Sequence, residues 1–404
     1  MKNIYFLLFI SIATETYSQT VDEFFVNAER KTKSNDLQGA ISDYTKIIDT
    51  DGRSAKAYFG RGYCKYLLND YPGAIDDYNK ADEIKPNQSN VYYNRGMVYS
   101  KQSQYSTAIA DFSVAILFNS SDTDAYYNRG IMWLNLQKYK DATNDFNEVI
   151  NLKPDFSNAY YFRGYIREKC ADFSTALKDY SKAYELDAKN LKALYGKAYS
   201  EYKLKDYQSS EKDYTAYIEI DPSNPDAFFN RALTRDRLDD AKGAATDYQK
   251  AIEFKPNDAE AYYYLGVCYD KQEDINAAMT AFDKAIELKP DYINAYYGRG
   301  LEKEKKKNFV GALLDFDKII IIDPSYSKAF YARGWVKYEM NDYKGCIEDN
   351  TKVIELDPTN AKAFNTRGLA NYKLDKKSEA CSDWKKAAEL GSTVADENAK
   401  KFCN

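Results

Sequence analysis

Nine basic residues each stand sixteen positions ahead of an aspartate. They are Arg61, Arg95, Arg129, Arg163, Lys197, Arg231, Arg299, Arg333 and Arg367, ahead of Asp77, Asp111, Asp145, Asp179, Asp213, Asp247, Asp315, Asp349 and Asp383. At such a spacing a cation and a carboxylate can neutralise each other where water is scarce, or the cations can wait for an anionic ligand. Other chemistry is closed off. The chain contains no histidine, which removes Ser-His-Asp and Cys-His catalysis and every histidine-held metal. Its glycines are mostly isolated, never a phosphate-cradling turn after a strand. No catalytic group, metal site or cofactor is therefore expected, and the chemistry on offer is non-covalent.

The elements that position these charges follow from a strict period. Ala28, Gly62, Gly96, Gly130, Gly164, Ala198, Ala232, Gly266, Gly300, Gly334 and Gly368 recur every 34 residues. Such a period means a stacked array of units that bury their apolar faces on their neighbours, not one large core. The units are 21–54, 55–88, 89–122, 123–156, 157–190, 191–224, 225–258, 259–292, 293–326, 327–360 and 361–394, with 395–404 left as a C-terminal capping segment. Numbering each unit from 1 to 34, the small residue above is at phase 8, the cation at phase 7 and the aspartate at phase 23.

The unit 89–122 shows the pattern. Tyr92, Arg95, Gly96 and Tyr99 share one stripe of a first helix, and Ala108, Asp111, Phe112 and Ala115 share one stripe of a second. Asp36, Asp70, Asp172, Asp206, Asp240, Asp274 and Asp342, all at phase 16, are suited to cap the second helix. Seven of the nine prolines stop that helix at phase 32. Small residues at phases 8 and 20 face a ring at phase 24, small against large, as dense packing requires.

These residues resemble the tetratricopeptide repeat, whose signature has an aromatic at phase 4, Leu-Gly at 7–8, an aromatic at 11, Ala at 20, an aromatic at 24 and Pro at 32. The resemblance covers about nine-tenths of the chain. It implies an all-α fold, an α-solenoid of eleven helix–turn–helix units wound as a right-handed superhelix, with first helices lining a concave groove that holds peptides or proteins.

Phase 7 departs from that signature, with a cation in nine units in place of leucine. The unit with Leu265 at phase 7 is also the one with Ala281 at phase 23. Both charges vanish together, which places the ion pair inside each unit. In the first unit Asn27 is expected to hydrogen-bond Asp43. Asn350 in place of the phase 24 ring, and Tyr217 at phase 27, are candidate marks of a bend or docking point, or plain drift.

In the resembled family, phases 2, 5, 9, 12 and 13 look into the groove. The candidate partner-binding residues are therefore Tyr93, Tyr127, Tyr161 and Tyr195 at phase 5, Tyr63, Tyr165, Tyr199 and Trp335 at phase 9, and Lys169, Lys203 and Arg237 at phase 13. Tyrosine offers amphipathic contact area at low entropy cost. The alternative for the phase 5 rings is that they stack on the neighbouring unit and are mainly structural. The phase 13 cations either complement their helix dipole or form a cationic edge, and Glu168, Asp236, Asp270 and Glu304 at phase 12 weaken the second idea. The lysine-based carboxylate clamp of chaperone-binding members needs a lysine at phase 5, which never carries one.

Residues 1–18 read as a secretory signal cleaved after Ser18, followed by a two-residue lead at 19–20; an uncleaved, disordered N-terminus is the alternative. The apolar stretch is too short to span a bilayer, so no integral membrane segment remains after cleavage. Export to the periplasm or beyond is expected. Cys381 and Cys403 are then disulfide candidates, two buried thiols being the alternative, while the other four cysteines have no partner in reach. A net charge of −5 disfavours nucleic acid as a partner. The expected function is a non-catalytic scaffold binding a peptide or protein partner in its groove. The alternative is an assembly component that self-associates through its ends or outer surface.

Overall fold

The computed structural model describes residues 21–403, and within them every regular element is a helix. The residues proposed as a signal lie outside the described part. The chain divides into two compact units between Ser200 and Glu201. The first holds α1 (residues 21–33), α2 (Leu37–Thr50), α3 (Ala55–Leu67), α4 (Tyr71–Ile84), α5 (Ser89–Lys101), α6 (Tyr105–Phe118), α7 (Thr123–Asn135), α8 (Tyr139–Leu152), α9 (Ser157–Lys169) and α10 (Phe173–Leu186). Next, α11 (Leu191–Lys203) carries the chain across the boundary. The second holds α12 (Tyr207–Ile220), α13 (Pro225–Arg237), α14 (Ala241–Phe254), α15 (Ala259–Lys271), α16 (Ile275–Leu288) and α17 (Ile293–Lys305). It continues through α18 (Phe309–Ile322), α19 (Ser327–Glu339), α20 (Tyr343–Leu356), α21 (Ala361–Lys373), α22 (Lys377–Glu389) and α23 (Thr393–Phe402).

Each unit is an α-solenoid: helices pair into hairpins, and each hairpin packs on the next. First helices of successive hairpins also touch, α3 with α5 in one unit and α15 with α17, α17 with α19 and α19 with α21 in the other. The inner face is therefore the first-helix face.

The hairpin turn is built the same way in every repeat. The first helix ends on a left-handed residue at phase 15, with φ between 57° and 66° at Asn35, Asn69, Ser103, Gln137, Ala171, Lys205, Asp239, Glu273, Lys307, Asn341 and Asp375. None of them is glycine. The next N–H then reaches back to the carbonyl at phase 11, as Asp70 does to Lys65 at 2.9 Å, in the manner of a Schellman motif. That phase 16 residue also caps the following helix. All seven expected aspartates do so, Asp70 for instance accepting the Gly73 N–H, and Asn308 joins them through Gly311.

Packing follows the small-against-large rule. Small residues at phase 20 and rings at phase 24, among them Tyr78, Phe112, Phe146, Phe316 and Trp384, are fully buried. A Cβ added at Gly266 would lie 2.6 Å from the Phe282 ring, and one at Gly300 would lie 2.7 Å from Phe316. Burying each such ring stabilises the stack by roughly 1.5–3 kcal/mol.

Asn350, fully buried, donates to the Cys346 carbonyl at 2.9 Å, and its Oδ1 has no partner. Tyr217 is buried too, its hydroxyl accepting from Asn224 at 2.8 Å, so neither residue presents a docking point. At the C-terminal end α23 starts at Thr393, inside the last 34-residue span, and covers the last hairpin. Phe402 lies 4.7 Å from the Tyr372 ring and 5.8 Å from Trp384, and Cys381 is bridged to Cys403.

Candidate functional site

The charges come first, because they decide what the arginines are free to do. Eight arginines each clamp the aspartate of their own repeat with two nitrogens. Arg129 is typical: Nε donates to Asp145 Oδ2 at 2.9 Å and Nη2 to Oδ1 at 2.6 Å. Each of these guanidiniums lies over the ring at phase 4, Arg129 at 5.5 Å from Tyr126 and Arg95 at 5.3 Å from Tyr92. The third nitrogen does something the spacing did not reveal. It reaches a polar side chain at phase 25 of the preceding repeat, Arg129 to Ser113 at 3.0 Å and Arg163 to Asn147 at 2.7 Å. One arginine therefore joins three helices of two repeats.

A second cation, four residues after the first, meets the same aspartate where phase 11 supplies one: Lys65 to Asp77 at 2.8 Å, Arg167 to Asp179 at 2.6 Å and Arg235 to Asp247 at 2.8 Å. This corrects the expectation for the first unit. Asp43 pairs with Lys31 at 2.7 Å and with Lys46, while Asn27 accepts from Arg30. Burial pushes the Asp43 carboxyl up, but Lys31 and then Lys46 outweigh it and hold it below the ordinary range. Asp145 has a single cation, and there burial wins over Arg129 and raises the carboxyl. Where Leu265 and Ala281 replace the pair, a cleft of about 540 Å³ opens beside Tyr262 and Tyr269.

The candidate groove residues separate into two sets. The phase 5 rings pack on the phase 24 ring of their own repeat: Tyr93 on Phe112 at 5.8 Å, Tyr127 on Phe146 at 6.1 Å and Tyr161 on Tyr180 at 5.9 Å. They are half-buried, and burial pushes the Tyr93 hydroxyl up to about 12. Of the phase 9 residues Tyr63 is exposed, while Tyr165, Tyr199 and Trp335 are half-buried like the phase 5 rings. Tyr63 is 36% exposed, and Trp335 stacks on Tyr338 at 5.7 Å with Glu304 nearby. At phase 13, Lys169 lies 5.1 Å from the Tyr165 ring centre, Arg237 is near Tyr202, and Lys203 is exposed. Farther along, Lys271 pairs with Asp236 at 2.7 Å, and Lys305 bridges Asp270 and Glu302. The phase 13 cations there are spent on the phase 12 acids of the preceding repeat and do not form an unopposed edge.

Four candidates come together around one cavity of about 290 Å³ in the first unit: Tyr161 and Tyr165 from α9, and Tyr195 and Tyr199 from α11. Glu168, Tyr180, Lys192 and Gly196 complete it. Gly196 makes the room, since a Cβ there would lie 2.5 Å from the Tyr180 ring. Tyr180 is 1% exposed and donates its hydroxyl to Glu168 Oε2 at 2.8 Å, which fixes a carboxylate in the wall. The sequence signals for this site were a glycine at phase 6 and an acid at phase 12 in a run of tyrosines.

Tetratricopeptide-repeat models match residues 62–103, 89–121, 171–225, 240–273, 259–292 and 327–360, together half of the chain. The chain belongs to the tetratricopeptide-repeat family. Similar solved structures include the C-terminal part of a tetratricopeptide-repeat protein from Cytophaga hutchinsonii, at 21% identity and a TM-score of 0.52 over 59% of this chain and 98% of that one. A tetratricopeptide-repeat protein from Parabacteroides merdae is similar at 20% identity and a TM-score of 0.45, over 62% and 98% of the two chains. YrrB, described as having an unusual peptide-binding site, is similar at 26% identity and 0.43, over 46% and 97%. These likenesses concern the fold. No curated protein matches the chain. Tetratricopeptide-repeat folds typically serve protein–protein interaction and are generally non-catalytic scaffolds. No helix among the described residues is long and apolar enough to cross a membrane.

Proposed function

We propose that this tetratricopeptide-repeat protein is a non-catalytic scaffold that holds a peptide segment of a partner protein on its first-helix face. The observation that carries the reading is the tyrosine-walled cavity between α9 and α11, a concave, part-apolar site with one fixed polar group, as ligand sites generally are. A photo-crosslinking residue at Tyr165 or Tyr199, with one at the exposed Lys178 on α10 as control, tests it. The reading expects one protein adduct from the two cavity positions, competed away by the unlabelled chain and missing from the control. Equal adducts from all three positions would refute it.

A second reading, self-association, rests on α18. Val310, Leu314 and Ile321 are 64%, 65% and 74% exposed on that second helix, at phases where most repeats carry polar residues. Light scattering of the mature chain from 1 to 100 μM, as wild type and as Leu314→Glu, separates the two. A mass that rises with concentration and falls back in the variant favours assembly.

We propose further that the mature chain is exported. The Cys381–Cys403 bridge supports this, since such bridges persist in oxidising compartments. Cell fractionation with thiol trapping checks it: the reading fails if the chain stays in the cytoplasm with both thiols reduced.

A further inference from the structure

The chain shows eight times over how it seats an arginine. A carboxylate takes the guanidinium side-on, through Nε and Nη2 contacts of 2.5–3.0 Å, and an aromatic ring takes its face at 5.3–5.7 Å. The planar, delocalised cation suits both contacts, whereas an ammonium is a point charge.

The cavity between α9 and α11 presents the same two parts to the outside. Glu168 is half-buried and held by the Tyr180 hydroxyl, and Tyr161, Tyr165, Tyr195 and Tyr199 wall the space around it. One of those rings already attracts a cation, since the Lys169 ammonium sits 5.1 Å from the centre of Tyr165. The opposing charges are Lys169 itself, which an arginine must displace from Tyr165, and Lys192, exposed at the second residue of α11 on a long flexible stem. A cavity of about 290 Å³ suits one side chain, not a folded surface.

We propose that this cavity is the specificity pocket of the groove and that it takes an arginine side chain of the bound peptide, its guanidinium paired with Glu168 and stacked between tyrosines. The proposal rests on the groove-binding reading and adds the chemistry of the ligand to it. It also gives Glu168 a task that a solvated acid at phase 12 would not have.

The test uses the mature full-length chain labelled with 3-fluorotyrosine and followed by fluorine NMR. The probes are acetyl-arginine-N-methylamide, its neutral citrulline analogue and acetyl-glutamate-N-methylamide. The arginine probe is expected to shift the Tyr165 and Tyr199 signals, assigned by Tyr→Phe variants, with at least tenfold tighter binding than citrulline. Glu168→Gln is expected to weaken the arginine probe at least tenfold while leaving the urea midpoint of unfolding in place. Lys192→Ala is expected to tighten it two- to threefold. Equal binding of citrulline, tighter binding of the glutamate probe, or indifference to Glu168→Gln would overturn the proposal. The parent reading fails separately. If Tyr165 crosslinks a partner and Glu168→Gln leaves that capture unchanged, the groove stands and the arginine does not. If the arginine probe binds but no partner is captured, the pocket chemistry stands and the peptide groove falls.

Discussion

Arg129 and Arg163 occupy the same phase of neighbouring repeats, yet they are not equally replaceable. Changing Arg129 to leucine leaves Asp145, only 3% exposed, with no cation, because phase 11 of that repeat is Trp133. An uncompensated buried charge costs about 3–5 kcal/mol. Changing Arg163 to leucine leaves Asp179 still held by Arg167 at 2.6 Å, so the loss is that of a charged hydrogen-bonding partner, about 1.5–3 kcal/mol. Removing both members with Arg129→Leu and Asp145→Ala recreates the composition of the Leu265/Ala281 repeat and should recover most of the loss, since apolar replacement of a buried pair is often neutral. The expected order of stability is wild type, then the double variant, then Arg163→Leu, then Arg129→Leu. Urea unfolding by circular dichroism gives the order. Hydrogen exchange on α7 and α8 localises it, because a stacked array need not unfold in one step.

The pH dependence has a fixed sign. Burial already raises the Asp145 carboxyl, and removing Arg129 raises it further above its unfolded value near 3.9. The folded state then binds the proton more tightly, so stability is lost as pH rises towards the folded pKa and is regained as pH falls. The gap between Arg129→Leu and the double variant should narrow from pH 7 to pH 4. Equal midpoints for Arg129→Leu and the double variant, or a gap that widens in acid, would refute the reasoning.

Three further outcomes are expected. Ala171 holds φ at 59°, a conformation that costs a side chain about 1–2 kcal/mol, so Ala171→Gly should raise the urea midpoint where glycine in a turn usually lowers it; a lower midpoint would count against this account of the turn. Among the thiols, Cys170 is exposed, whereas burial raises Cys64 and pushes Cys268 and Cys346 up to about 12. One thiol per native chain should therefore react quickly with a disulfide reagent at pH 8, and Cys170→Ser should abolish that phase. Asn350→Phe should stabilise the repeat by about 1 kcal/mol or more in thermal melts, because it removes a buried carbonyl without a partner and restores the ring used elsewhere. A fall in Tm would show that Gly334 and its surroundings no longer admit a ring.

The repeat, its caps and its ion pairs were legible because each is written once per period. The joint loss of charge at Leu265 and Ala281 placed the pairing inside one repeat before any geometry was known. What escaped were contacts whose partners vary. The residues that take the third arginine nitrogen are Thr45, Asn79, Ser113, Asn147, Thr215, Asp283, Asp317 and Thr351, alike in being polar and in little else. The left-handed turn escaped for the same reason: asparagine, lysine, alanine and glutamate share that phase, and no glycine flags it. At phase 11 the aromatic stripe of one repeat hid the second cation of others. The cavity at Glu168 depends on one glycine, Gly196, at a phase that varies from glycine and asparagine to rings, Phe162 and Tyr264 stacking there on their neighbours at 5.6 and 5.8 Å.

The arginine that spans two repeats has a mechanical meaning. Under tension, hairpins riveted in this way share the load, and rupture seeks a seam that lacks a rivet. One such seam lies between the repeats of Gln249 and Leu265, where a neutral bond from Gln249 to Tyr269, 2.7 Å long, stands in for the arginine's cross-repeat bond. The stack is thus unevenly jointed, and this neutral link is one of its weaker joints.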